Sequence, residues 1–401
     1  MSVELISPSV LGSLPEIGQA QWSCPTSFGR AWVVDSANKI DPKLLYSALT
    51  GYVRDGRFYA ITERTLADQF EQRYFILWNR NENKIAIQPF FFVRQDLAAG
   101  LPGGQRKQIL RLRSLWRNFL FLRMWMVGCP AGEGNLDSTE RWAIVSLREA
   151  LDAYERVAKP AVTMLKDFSA EHRQILGEFQ SHGFRRIPGM PATELDLNFG
   201  TFDEYMQTRL GKVFRKNLRR KFKVLKRVPP LSVEVVRDVS LIIDEIFPLY
   251  RQVYERAQMT FDALNKDYFL ALGHEMPDKT RFFVWRQNGR ITAFNLCLIH
   301  RQTLYDLGVG FDYSVALQLH LYFVTFRDVI RWCVANGIRT YHAGSLDYDP
   351  KLHLKLRLVP QDIYARFKPH WLNRLLQLAM GYFAPIRYEP ILRKFANAHE
   401  L

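Results

Sequence analysis

The segment Ala343-Gly344-Ser345-Leu346-Asp347-Tyr348-Asp349-Pro350-Lys351-Leu352-His353-Leu354-Lys355 crowds carboxylates, lysines and a histidine as it leaves the strand expected at 339–343. Ionisable groups at the end of a buried strand are where α/β folds commonly place reacting atoms. Such groups can do acid–base work or hold an anion, although a plain surface loop has the same composition. Upstream, Thr303 to Val309 reads as a strand that carries Gly308 and Val309, and a glycine-containing turn from Gly310 to Ser314 bridges to a helix. Free N–H groups at a helix start can cradle an anion. The run lacks GxGxxG and the lysine of a phosphate loop, so it supports neither a dinucleotide fingerprint nor an NTPase. A bare Gly-X-Gly also serves wherever a turn needs positive φ.

A third feature is electrostatic. Between Arg209 and Arg227 stand ten Lys or Arg and no Asp or Glu, so this stretch carries +10 of a net charge of +15. Leu210, Phe214, Leu218, Phe222 and Leu225 recur at helical spacing as a core stripe. Arg209, Lys212, Lys216, Arg219, Lys223 and Lys226 recur as a second stripe. Like charges at this spacing repel by about 0.2–0.5 kcal/mol per pair, a cost that a bound anion would relieve. Phosphates of a nucleotide cofactor, of RNA or of a lipid surface all fit, and so does a solvated face.

Other arrangements fail. His274, His300, His320, His342 and His353 show no metal-ligand spacing, the four cysteines form no CxxC, and no serine sits in GxSxG. No metal is expected.

The elements that must position these groups alternate. A hairpin is expected from Tyr74–Trp78 and Lys84–Val93, then a strand at 119–127 and a helix at 139–158. A strand at 161–165, a helix at 170–182 capped by Ser169, and a strand at 193–197 complete the first half. In the second half one long basic helix is expected from about Asp203 to Arg227, then a strand at 231–237 and a helix at 241–256. Two strands turn about Gln287-Asn288-Gly289, and a helix from Val315 to Asn336 closes at Gly337 before a strand at 339–343. This is an α/β layered pattern. With 401 residues, 48% apolar, the chain has material for two cores rather than for a disordered protein. The domain boundary is expected near residue 198, giving 1–198 and 199–401. Ile109 to Val127 is apolar but carries Arg111, Arg113, Arg117 and Arg123, which argues against a transmembrane helix. The first residues show no signal-peptide pattern and the cysteines are scattered, so a reducing, cytoplasmic location is expected. Trp371 to Met380 forms an amphipathic helical pattern that would dock on the body or touch a membrane surface.

Taken together, several motifs resemble a known family. They are the hairpin, the strand ending Met126-Val127-Gly128-Cys129-Pro130, the Gly183-Phe184 break, and the basic run Leu210-Gly211-Lys212-Val213-Phe214-Arg215-Lys216-Asn217-Leu218-Arg219-Arg220-Lys221. The closing run Val329 to Ile338, followed by Ala343-Gly344 and a lysine-containing loop, fits as well. Over roughly residues 70 to 370 the chain resembles the tandem-domain branch of the GNAT acyltransferase superfamily, related to the Fem-type aminoacyltransferases of peptidoglycan bridges.

The resemblance implies two GNAT-like domains, each with a mixed central sheet flanked by helices, and transfer of an acyl group to an amine. It implies acyl-CoA as a donor substrate with no permanently bound cofactor, or aminoacyl-tRNA in cell-envelope synthesis. A non-catalytic RNA- or membrane-binding protein on the same fold is a further option, with peripheral contact at the inner membrane surface through the basic or C-terminal helix. In this family the donor pyrophosphate lies at a helix start beside splayed central strands. The matching positions are Gly308, Val309, Gly310 and Ser314, with Lys212, Lys216 and Arg219 as further phosphate contacts. A loop lysine orients substrate in this branch; Lys355 fits that position, with Lys351 as its rival. Acyl transfer benefits from a base, for which Asp306, Asp347 and His342 are candidates. The loop reads Asp-Tyr-Asp-Pro-Lys-Leu-His-Leu-Lys where relatives carry a Gly-Glu-His-Lys type of sequence, so the acceptor is left open.

Overall fold

A computed structural model describes residues 20–96, 111, 121–257, 262–368, 373 and 384–401. The expectations for the first nineteen residues, for residues 109–120 other than Arg111, and for Trp371–Met380 other than Asn373 therefore lie outside the described residues. Among the described residues the strands, in chain order, are β1 (Trp22–Thr26), β2 (Gly29–Val34), β3 (Glu71–Asn79), β4 (Lys84–Asp96) and β5 (Phe121–Val127). They continue as β6 (Val162–Ser169), β7 (Arg185–Pro188), β8 (Ala192–Asp196), β9 (Leu231–Val236) and β10 (Thr280–Gln287). The last are β11 (Arg290–His300), β12 (Thr303–Phe311), β13 (Thr340–His342), β14 (Arg357–Val359) and β15 (Gln361–Phe367).

The chain forms two compact units: residues 1–51, 67–187 and 362–383 in the first, and 52–66, 188–361 and 384–401 in the second. The first holds an eight-stranded sheet in the order β1-β2-β3-β4-β5-β6-β15-β7, and the second a seven-stranded sheet in the order β14-β8-β13-β12-β11-β10-β9. Both sheets are mixed. β5–β6 and β12–β13 are parallel, whereas their β4–β5 and β11–β12 neighbours are antiparallel. The expected α/β class with two helix-flanked mixed sheets is what the chain adopts.

Local chemistry explains the elements. β3 and β4 pair from Glu71↔Phe92 to Asn79↔Lys84 about the Asn-rich turn, where Asn83 takes φ 53°. Asn288 and Gly289 both take positive φ (51° and 79°), the conformation a tight hairpin between β10 and β11 demands. The helix Leu321–Ala335 ends at Asn336 and Gly337, the glycine at φ 71°, with Ile338 N–H donating to Cys333 O at 2.9 Å. In the second unit Trp285, Phe283, Cys297, Val329 and Cys333 form the core between the sheet and this helix.

Three expectations change. The long basic helix is two, Phe202–Thr208 and Lys212–Val224, because Gly211 adopts extended φ/ψ and caps the second. Its apolar stripe packs as the spacing requires: Leu210 and Leu218 are buried, while Phe214, Phe222 and Leu225 lie against the same core. The helix expected from Val315 breaks at His320, in left-handed conformation at φ 54°, into Ala316–Leu319 and Leu321–Ala335. Finally, the turn expected from Gly310 does not begin there: β12 runs on through Gly308, Val309 and Gly310 to Phe311. Gly310 is there for close approach. A Cβ would sit 2.1 Å from Phe294 Cε1 and 2.8 Å from the backbone nitrogen of Tyr250, on the helix Ile243–Tyr254 that crosses this strand.

Candidate active site

β12 and β13 create the site by parting. They pair in parallel from Thr303↔Thr340 to Tyr305↔His342, and there β13 ends while β12 continues to Phe311 beside β11. The chain after His342 is drawn to the other side: Ala343 N–H donates to Thr193 O (2.8 Å), and Thr193 N–H and Oγ1 donate to Gly344 O (3.0 and 2.9 Å). β12 itself is bulged. Leu296 faces Gly308 and Cys297 faces Asp306, so Leu307 is the extra residue on that strand. Between the diverging segments opens a cavity of about 450 Å³.

Asp306, the first β12 residue beyond the paired stretch, lines this cavity. Its Oδ2 accepts from the Tyr341 hydroxyl (2.7 Å) and from Asn295 Nδ2 (3.2 Å). Burial pushes its carboxyl up to about 6, against the Tyr341 hydrogen bond and the charges of Lys351 and His342, which pull it down. Lys351 lies on the short helix Tyr348–His353 and is only 7% exposed. Its Nζ donates to the carbonyls of Ala343 (2.8 Å), Gly344 (3.2 Å) and Ser345 (3.2 Å), so all three ammonium protons hold the cavity wall. Burial brings Lys351 down to about 8, while Asp347 and Asp306 oppose the shift.

The wall is strained where it turns. Leu346 and Asp347 both take left-handed φ (70° and 48°), costly for residues with a side chain. Asp347 lines the cavity from this turn. His342 is buried, packs tilted against Tyr305 with ring centroids 4.9 Å apart, and its Nδ1 accepts from Gly344 N–H (3.3 Å). Tyr322, in the first turn of Leu321–Ala335, faces the same cavity, and burial raises its hydroxyl well above the ordinary tyrosine range.

The structure thus brings Asp306, Asp347, Gly308 and Val309 to one cavity together with Lys351, and it sets His342 at the end of β13 beside them. Lys355 is exposed, takes φ 61° after the short helix, and does not line the cavity. Ser314 is exposed and bonds Asp312 through N–H (3.0 Å) and Oγ (2.6 Å), while Gly310 is packed against Phe294. Lys212, Lys216 and Arg219 lie on the exposed face of Lys212–Val224, outside the cavity lining. Asn295, Tyr322 and Tyr341 went unnoticed in sequence: Asn295 and Tyr322 sit in apolar runs, Tyr341 belongs to no motif, and only strand and helix register turns each toward Asp306.

Comparison with known proteins bears on the fold of this region. Residues 212–351, from the first residue of the basic helix to Lys351, match the acetyltransferase (GNAT) domain family. Over those residues, about a third of the chain, the sequence is similar to that family. The chain's fold is shared with FemX, at 11% identity and TM-score 0.54 over 83% of this chain and 96% of FemX. A protein of unknown function from Bacteroides thetaiotaomicron VPI-5482 aligns at 12% identity and TM-score 0.53, over 84% of this chain and 99% of that one. L-PGS from Bacillus licheniformis aligns at 13% identity and TM-score 0.50, over 77% of this chain and 89% of that one. At these identities the likeness is one of fold. No curated protein matches the sequence. Among the described residues no helix is long and apolar enough to cross a membrane.

Proposed function

We propose that the protein is an N-acyltransferase that moves an acyl group from a CoA ester to an amine in the cavity between β12 and β13. The observation that carries this reading is the parting of those strands, which among the described residues leaves the β12 edge away from β11 without a strand partner from Asp306 onward, beside a cavity of ligand size. An extended donor chain with amide groups can pair with such an edge as an added strand. The match to the GNAT family supports the reaction class.

In this reading the acceptor nitrogen, once its ammonium proton has passed to solvent, attacks the thioester carbonyl carbon as the free amine. The resulting oxyanion is met by backbone N–H groups along the bulged edge at Leu307–Val309. Asp306, with a carboxyl near 6, is ionised at neutral pH and takes the proton the amine loses. As the C–S bond breaks, Tyr322 gives its proton to the leaving sulfur and is reprotonated with the proton Asp306 took, so both groups return to their starting states. Lys351 positions the 343–345 wall and touches no reacting atom, so the loop-lysine role passes to it in preference to Lys355.

A second reading, with aminoacyl-tRNA as donor, is favoured by one feature, the exposed basic face of Lys212–Val224. Thermal stabilisation by acetyl-CoA, a long-chain acyl-CoA and a charged tRNA tests both. A ligand at 100 times its Kd adds about 2.7 kcal/mol. A shift with a CoA ester supports the first reading, and a shift with tRNA alone, weakening steeply with salt, replaces it with the second. A shift with neither removes both donors.

A further inference from the structure

The cavity's own chemistry bears on the acceptor. Its charged lining residues are Asp262, Asp306, Asp347 and Lys351. Lys351 turns its three N–H groups to backbone carbonyls, so the acidic groups dominate what a ligand meets. Asn295, 3% exposed, stands in the same wall. Its Nδ2 is committed to the Asp306 carboxylate, which fixes the amide orientation, and its Oδ1 then has no hydrogen-bond partner among the described residues. A buried carbonyl oxygen left this way is an acceptor waiting for an N–H donor. The remaining walls are aromatic: Tyr250, Tyr254, Tyr322 and Phe326 all face the cavity. Aromatic faces attract organic cations, and their rings accommodate an apolar body. The basic helix contributes none of its Lys or Arg side chains to this lining.

We infer that the acceptor taken by this cavity is a cationic alkylammonium, held by Asp306 and Asn295 and packed on the tyrosine and phenylalanine walls. This rests on the acyl-transfer reading above and narrows its acceptor class, excluding amines whose body is anionic. Asn295 is then a recognition residue that adds an N–H acceptor beside the Asp306 carboxylate.

Binding is measured without any acyl donor, by ligand-observed NMR titration of the full chain with hexylammonium, 1-hexanol and hexanoate. The three share a hexyl or near-hexyl body and differ in charge. Hexylammonium is expected to bind at least about tenfold more tightly than hexanol, and hexanoate more weakly than either. Asp306→Asn and Asn295→Leu are each expected to weaken hexylammonium by about tenfold and to leave hexanol unchanged. Equal affinity for hexanol, preference for hexanoate, or no binding of hexylammonium overturns the inference, and none of these depends on a variant folding. A CoA-ester thermal shift that persists while hexylammonium fails to bind removes this inference and leaves the donor reading standing. Hexylammonium binding to a protein that no CoA ester stabilises does the reverse.

Discussion

Lys351→Met is the perturbation whose magnitude the structure defines most closely. The ammonium makes three hydrogen bonds to the carbonyls of Ala343, Gly344 and Ser345, residues that are themselves only partly buried. Losing the donor to such carbonyls costs about 1 kcal/mol each, since water reaches them, or about 3 kcal/mol together. Against this stands the burial of the charge. A fall from the usual 10.5 to about 8 means that the fold disfavours the ammonium by about 3 kcal/mol relative to the amine. The two terms nearly cancel. Methionine, of similar length and without charge, is therefore expected to change global stability by less than about 2 kcal/mol. Activity has no such cancellation. The 343–345 segment is one wall of the cavity, and a displacement of about 1 Å there costs about a hundredfold in turnover.

The pH dependence gives this prediction a sign. Below pH 8 Lys351 is protonated in both states and the penalty stands in full. Between about 8 and 10.5 the unfolded chain binds more protons at this site than the folded one, so stability rises with pH by up to about 3 kcal/mol. Chemical denaturation of wild type and Lys351→Met at pH 7, 8, 9 and 10 reads both effects, and CoA-thiol release reads turnover. The variant should lose this group's rise in stability and most of its turnover. A stability loss above about 5 kcal/mol, or unchanged turnover, would refute the positioning argument.

Asp306→Asn should lower turnover by about a hundredfold or more if Asp306 takes the proton. Because its folded carboxyl lies at about 6, above the usual 3.8, its contribution to stability is present at low pH and is lost as pH rises through 6. Discounted for partial exposure, the asparagine variant should be about 2 kcal/mol more stable than wild type at pH 7, read by denaturant melts. Gly310→Ala and Gly308→Ala should separate packing from site. At Gly310 the methyl meets Phe294 and Tyr250 and should cost about 1–3 kcal/mol, whereas at Gly308 nothing lies within 4 Å. Gly308→Ala should leave the melting temperature unchanged while weakening donor binding, seen as a raised KM for the CoA ester. Lys216→Gln relieves repulsion with Lys212, Arg219 and Arg220 at helical spacing and should raise stability by about 0.5–1 kcal/mol at low salt. That gain should vanish at about 1 M salt.

What was legible in the sequence and what was not follows from the range of the interactions involved. The β3–β4 hairpin, the Asn288-Gly289 turn and the Gly337 helix stop are set by neighbours within a few residues, and their sequence signals point to the structure found. Gly310 misled because a glycine inside a strand and a glycine in a turn look alike along the chain. The difference is Phe294 and Tyr250, sixteen and sixty residues away. The same holds for the break at Gly211, where apolar and basic periodicity run straight through a backbone that does not. Asp306 was legible as a charge in an apolar strand. Its partners Tyr341 and Asn295 were not, because they meet it only after β11, β12 and β13 are in register.

The two units differ at a comparable place in their sheets. Each contains an antiparallel strand followed by a parallel partner, β4-β5-β6 in the first and β11-β12-β13 in the second. In the second unit the strands part after Tyr305 and His342, and the opening is the cavity. In the first, β5 leaves β6 after Val127 and Leu165, but the chain turns at Gly128, φ 126°, and comes back at Gly134 to bridge Phe168. Gly134 N–H donates to Asp167 O (3.0 Å) and Lys166 Nζ to Gly132 O (2.9 Å), and a Cβ at Gly134 would strike Lys166 O at 2.3 Å. That chain covers the edge of β6 beyond its paired stretch with β5. Its carboxylate, Asp137, faces inward instead, accepting from Leu49 N–H (2.6 Å) and Ile87 N–H (2.7 Å). The same parting of strands is thus closed by backbone in one unit and left open, with an ionisable pair beside it, in the unit that matches the acetyltransferase family.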